Sequence, residues 1–301
     1  MLNKGNIMLI LGGGGFRGLA HIGVLKALER LGIPISEYGG TSIGAIIAAM
    51  AASGMKPKEI EEIGLSIRQN DIFDLNYQGF LTRPSRIQGL CKGEKLKQLI
   101  KRIIPVSRFN ELQRPLFLSS VDIGNGEMVF WGMSPNDEVL LHDAVYSSCA
   151  IPGIFPPQRI GETFYVDGGV VDSLPIQLAN LRNLDAVIAV NLGSPGAVAG
   201  EEIQQEGILS IMERFYEIKN QEVLECHRCF KTETPILFIE PDVGSYRFFK
   251  IGGAGKLIRK GEKHALAVLK PYMTSHEDRE EDKNLDGMGP RLDRSLFQVV
   301  P

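Results

Sequence analysis

Cysteine is scarce in this chain, with four in 301 residues. That is too few for a disulfide framework. Long apolar runs are missing too, and none reaches the ~20 residues of a membrane-spanning helix. The apolar start, residues 6–11, stops at four glycines and is too short for the core of a signal peptide. Neither sign of charge dominates. The formal net charge is −3, and residues 274–301 carry all of it, with seven acids against four bases. The neutral remainder argues against a general nucleic-acid binder. These absences predict an intracellular, cytoplasmic protein. Hydrophobic content of 44% is that of a globular chain, and the length suffices for one large α/β domain with an extension.

Glycine, by contrast, is plentiful and clustered. Gly40-Thr41-Ser42-Ile43-Gly44 reads as Gly-x-Ser-x-Gly, the sharp strand-to-helix turn that lifts a nucleophilic serine off its backbone. A β-carbon at Gly40 or Gly44 would collide where the chain passes close to itself. Residues 43–52 are rich in Ala and Ile and predict a buried helix. Its N-terminus would present free N–H groups and a positive dipole end at Ser42.

Upstream, residues 7–11 predict a buried parallel strand. It runs into Gly12-Gly13-Gly14-Gly15-Phe16-Arg17-Gly18, and residues 19–31 then show helical periodicity. A glycine-rich loop between strand and helix offers an array of backbone donors to an anion. One reading is a dinucleotide fingerprint, with Gly13, Gly15 and Gly18 as the glycines and Glu37 as the ribose-binding acid. The other is an oxyanion hole. Residues 33–38 run straight into the serine turn, which favours the oxyanion reading. His21, three residues past the loop, reads as a structural histidine.

Residues 56–69 predict a second helix opened by Lys56-Pro57, and residues 71–90 a long loop or cap. Residues 83–108 hold eight bases and one acid, Glu94. An apolar stripe there (Leu96, Leu99, Ile100, Ile103, Ile104) reads first as an ordinary surface helix. The competing reading is peripheral contact with an anionic membrane. Residues 114–123, a Gly-Asn-Gly turn and residues 128–131 predict a hairpin. A helix over 137–150 ends in the proline-stiffened segment 147–157. Residues 164–167 form a β-type run closed by Asp167 before Gly168 and Gly169. That acid reads either as catalytic or as the cap of its own turn. Asp172 to Pro175 leads into another helix, and residues 185–192 predict a strand.

Taken in order, the glycine loop with Arg17-Gly18, the serine turn, the segment 148–157 and Asp167-Gly168-Gly169 resemble the patatin-like phospholipase family over roughly residues 5–195. The resemblance implies a three-layer α/β/α fold with a mostly parallel central sheet. It implies a Ser–Asp dyad, with Ser42 as nucleophile and Asp167 as base, and an oxyanion hole from the N–H groups of Gly13, Gly14, Gly15 and Phe16. Arg17 is left with two roles, contact with a lipid phosphate or a tie between loop and body.

Beyond 195 the resemblance fades. Residues 208–230 predict a long helix carrying Cys226 and Cys229, a lone Cys-x-x-Cys that reads as helix surface rather than a zinc or redox site. Residues 235–240 predict a late strand. Residues 246–250 read as packing before membrane contact, residues 254–272 as a helix, and the polar tail from 274 as disordered. The domain reading is a catalytic unit over 5–195, a helical extension over 196–273 packed on it, and the tail. The functional expectation is a serine hydrolase of lipid acyl esters that needs no cofactor and no metal. The alternatives are an acyltransferase or thioesterase using the same acyl-enzyme, or a non-catalytic lipid or nucleotide binder.

Overall fold

The computed structural model describes residues 5–82, 84–134, 138–193, 207–228, 231–250 and 252–273. Its centre is strand β1 (Ile7–Leu11), buried at every position. Parallel neighbours are β2 (Glu37–Gly40) and β7 (Ala186–Val190); β3 (Leu116–Asp122) pairs parallel with β2, and β8 (Ile236–Ile239) with β7. Three shorter strands run antiparallel. They are β4 (Met128–Trp131) and β6 (Thr163–Asp167), both on β3, and β5 (Gln158–Ile160) on β6. The main path is β5-β6-β3-β2-β1-β7-β8, a mixed, mostly parallel sheet.

Strand periodicity sorts the two cores. Ile7, Leu9 and Leu11 enter the larger cluster, and Met8 and Ile10 the smaller one on the opposite face. The large face is covered by α1 (Leu19–Leu31), α2 (Ile43–Ala52), α5 (Glu94–Ile103), α6 (Leu141–Cys149) and the late helix α9 (Ala254–Leu269). The small face is covered by residues 174–179, which lead into the four-residue α7 (Leu178–Leu181). The result is a three-layer α/β fold.

The expected long loop over 71–90 contains α4 (Tyr77–Thr82) and single 3₁₀ turns on either side, after α3 (Pro57–Ser66). Its anchor is backbone pairing, with Leu90 N–H donating to the Gly153 carbonyl and Cys91 N–H to Ile154. In α5 the apolar stripe is core, since Leu96, Leu99, Ile100 and Ile103 are buried. The basic residues therefore sit on the outer face of an ordinary surface helix. The segment after 195 is more than a helical extension. It adds β8 to the same sheet, and α9 lies along α1. The tail from 274 lies outside the described residues, where no helix is long and apolar enough to cross a membrane.

Glycines fix the α1–α9 contact. A β-carbon on Gly23 would run into the Ile258 carbonyl, and one on Gly261 into the Ala20 carbonyl. Gly261→Ala is therefore expected to lower unfolding free energy by ~2 kcal/mol or more, read by urea titration. Gly255→Ala in the same helix meets only Arg259 Nη1 at 3.4 Å. It should cost nothing and can gain up to ~1 kcal/mol.

Candidate active site

The site gathers where β1, β2 and β6 end. Ser42 follows β2 with φ 57° and ψ −126°, the one non-glycine residue at positive φ among the described residues. Such a conformation costs ~1–3 kcal/mol and persists only when its surroundings over-determine it. Here they do. The Ser42 N–H donates to Ser148 Oγ at 3.0 Å. Its carbonyl accepts from Ala45 N–H at 2.9 Å and from the Cys149 thiol at 3.2 Å. Thr41 N–H donates to the Leu11 carbonyl at 3.1 Å, and Thr41 Oγ1 lies 2.6 Å from Ser119 Oγ. Close packing removes the remaining freedom. A β-carbon at Gly40 would stand 2.7 Å from the Gly44 carbonyl oxygen, and one at Gly44 would strike the Leu11 carbonyl.

Asp167 closes β6, opposite Ser120 of β3. Its N–H donates to the Ala150 carbonyl at 3.1 Å, and its Oδ1 accepts from Gly169 N–H at 2.7 Å. Gly168 lies so close to Ser119 that a β-carbon would overlap its hydroxyl. Ser42 lies among the groups that favour the ionised Asp167 carboxylate. Burial raises the Asp167 pKa to about 6, opposed by hydrogen bonds from Ser42 and Gly169 and by the charge of Lys219. Asp167 caps its own turn through Gly169 N–H, as the turn reading expects.

The glycine loop passes close to Ser42. The β-carbon position of Gly13 is 3.5 Å from Ser42 Cβ. Two of the four N–H groups expected to face an anion are paired within the chain. Gly13 N–H is committed to the Ser173 carbonyl at 2.8 Å, and Phe16 N–H to the Phe248 carbonyl at 2.9 Å. Gly14 and Gly15 have no backbone acceptor among the described residues. Gly15, at φ 56°, packs so tightly on Phe248 that only a hydrogen fits.

Arg17 is paired within the protein. Its guanidinium is buried, with Nε donating to the Tyr246 carbonyl at 2.6 Å and Nη2 to Glu217 at 2.6 Å and Glu213 at 3.2 Å. Two carboxylates already occupy it, so it ties the loop to α8 (Ile208–Arg228). His21 is structural. Its Nε2 donates to the Gly12 carbonyl at 2.8 Å, and burial lowers its pKa to about 4. The dinucleotide reading fails on placement. Glu37 begins β2, at the opposite end of the sheet from the loop, and is held by both nitrogens of an Arg182 fork at 2.8 and 3.0 Å.

Sequence reading missed the contribution of α8. Lys219 Nζ donates to the carbonyls of Gly169 at 2.7 Å and Val171 at 3.2 Å. His227 Nε2 lies 2.9 Å from Asp172 Oδ2 in the same loop. A cavity of about 210 Å³ lies beside the glycine loop, lined by Gly13, Gly14, Arg17, Phe248 and residues of α8. Cys226 is exposed on α8, and Cys229 lies outside the described residues. The buried acids at α8 positions 213 and 217 were the available signal, since a buried carboxylate demands a cation.

Asp167 carries a measurable penalty. A folded carboxyl that holds its proton to about pH 6, against 3.8 when free, costs the fold ~3 kcal/mol once ionised. The penalty is full above that folded pKa, shrinks as pH falls, and is gone below the unfolded value. Asp167→Asn is therefore expected to raise the melting temperature at pH 7.5. The gain should vanish near pH 4, as read by parallel thermal scans.

The family model for patatin-like phospholipase matches residues 9–180. An uncharacterized NTE family protein of Mycobacterium tuberculosis is 31% identical over 194 residues, covering 64% of this chain and 50% of the relative. Human patatin-like phospholipase domain-containing protein 6 is 31% identical over 197 residues, 64% of this chain and 14% of that one. The chain thus spans half or less of the length of these relatives. The crystal structure of VipD from Legionella pneumophila superposes with a TM-score of 0.56 at 14% identity, over 89% of this chain and 67% of that one, which speaks for the fold alone. With more than half of its length matched by the family model, the chain belongs to the patatin-like phospholipase family.

Proposed function

We propose that this protein hydrolyses acyl esters of lipids through Ser42 and Asp167. Family membership supports a lipid acyl hydrolase at the coarse level. The observation that carries the finer reading is a serine on a strained turn that shares one site with a buried carboxylate, whose pKa burial raises to about 6 and Ser42 helps to hold down.

In this reading the Asp167 carboxylate takes the proton of Ser42 Oγ as the oxygen attacks the ester carbonyl carbon. The carbonyl oxygen gains negative charge beside the N–H groups of Gly14 and Gly15 and the N-terminus of α2. Collapse of the tetrahedral intermediate breaks the ester C–O bond, and the leaving alkoxide takes the proton back from Asp167. Water, deprotonated by the same carboxylate, then attacks the acyl-serine carbonyl; the bond to Ser42 Oγ breaks, that oxygen takes the proton back from Asp167, and the fatty acid leaves. His21 takes no part, because its ring faces the Gly12 carbonyl and its lowered pKa keeps it neutral.

A fluorophosphonate probe should label Ser42, as mapped by mass spectrometry of the modified peptide. Ser42→Ala should take no label, and Asp167→Asn should react at least ~100-fold more slowly. Labelling of folded Ser42→Ala at another serine, with turnover retained, would sink the dyad. The base must be ionised, so kcat/KM should fall about tenfold per pH unit below an apparent pKa of about 6 and level off above it. Lys219→Met removes the cation that favours the carboxylate. It should move that acid limb to higher pH, as read from the pH–rate profile.

A further inference from the structure

Helix α8 is built inside out. Its polar residues face the protein: Ser210, Glu213 and Glu217 are buried, and the two acids meet Arg17, Arg214 and Arg247. Four of its apolar residues face outward, while Tyr216 is buried and Met212 packs on the core. Ile208, Ile211, Phe215 and Ile218 are 64%, 56%, 65% and 49% exposed. Their spacing of three, four and three places them on one helical stripe. The inner face has a structural reason, since it grips the glycine loop and the loop after Asp167. The outer stripe has no counterpart within the described chain, and a contiguous exposed apolar face of this kind marks a contact surface.

The stripe continues into a second apolar patch. The Met212 methyl lies over Gly153, 3.0 Å from where a β-carbon would stand. Gly153 pairs with Gly89 and accepts from Leu90 N–H, and Cys91 pairs with Leu75. Leu75, Tyr77 and Leu81 are exposed there, Leu81 to 86%. Phe73 of the same segment contacts Phe16 of the glycine loop and stacks on Phe155. At the margin of this patch Arg86 and Lys92 line a cavity of about 390 Å³, and neither has an ion pair among the described residues.

We infer that the outer stripe of α8 and the 75–81 segment together form a docking face for a phospholipid bilayer bearing anionic head groups. Three features select a bilayer over a second copy of the chain. The face is apolar with bases at its margin, matching an acyl layer beneath negative head groups. The two patches are neighbours, since Met212 of α8 lies over Gly153 and Gly153 pairs with Gly89. The stripe belongs to the helix whose inner face holds the glycine loop beside Ser42, so a bilayer docked there lies next to the proposed site. The inference rests on the lipid-hydrolase reading only for this last point.

The test uses the full chain as wild type, Ser42→Ala, and the double variant Ile211→Ser with Phe215→Ser. The two substituted side chains point to solvent, so folding should be unaffected. Flotation with phosphatidylcholine vesicles, with and without phosphatidylglycerol, measures binding. The double variant is expected to bind anionic vesicles ~30-fold more weakly, while Ser42→Ala binds like wild type. Fluorophosphonate labelling and turnover of a water-soluble short-chain ester should stay within about twofold of wild type, since no reacting group is touched. Undiminished binding by the double variant would overturn the docking face, and binding no stronger to anionic than to neutral vesicles would overturn its charge component. A wild-type dimer in sedimentation velocity that the double variant abolishes, with vesicle binding unchanged, would assign the face to a second copy. Absence of label on wild-type Ser42 would refute the hydrolase reading alone, because vesicle binding is scored on the same samples.

Discussion

Everything about the site depends on the left-handed backbone at Ser42. A serine at φ 57° is held against its own preference, so the surrounding chain must supply both space and hydrogen bonds. Space comes from Gly40 and Gly44, where any β-carbon would strike backbone. Hydrogen bonds come from far along the chain, with Ser148 and Cys149 at the end of α6 holding the N–H and carbonyl of Ser42. The same helix end receives the Asp167 N–H through Ala150. One short segment therefore sets the proposed nucleophile and the proposed base relative to each other.

The second constraint is electrostatic. Asp167 is buried, and its ionised form is favoured by Ser42, Gly169 and the charge of Lys219 against the cost of desolvation. Two buried glutamates of α8 offset Arg17, and these groups fix the glycine loop from outside. Paired charges of this kind add little net stability but penalise every arrangement that separates them. In this protein α8 acts as a clamp on both loops of the site. Its reversed polarity, acids inward and isoleucines outward, follows from that task.

Much of the fold was legible because its signals are local. The buried run at residues 7–11 forms β1, the Gly-Asn-Gly turn joins β3 to β4, and Lys56-Pro57 with Glu59 opens α3. Short elements were not legible. β5 is three residues and α4 six, too brief for a period to emerge. The boundary read near residue 195 reflects where motifs stop, whereas β8 and α9 complete the same sheet and core.

The sequence by itself determined the serine turn, the glycine loop and the acid before two glycines, since glycine spacing reports where backbone must pass close to backbone. It also determined that His21, alone among apolar neighbours, is structural. Only the tertiary structure decided which loop donors remain for an anion, because Gly13 and Phe16 are claimed by the carbonyls of Ser173 and Phe248, 160 and 232 residues away. It decided likewise that Arg17 is a tie and that Lys219 faces the Asp167 loop. A side chain's partner across the fold leaves no mark in its own neighbourhood, so charge and hydrogen-bond assignments of this range are fixed only when the chain has closed on itself.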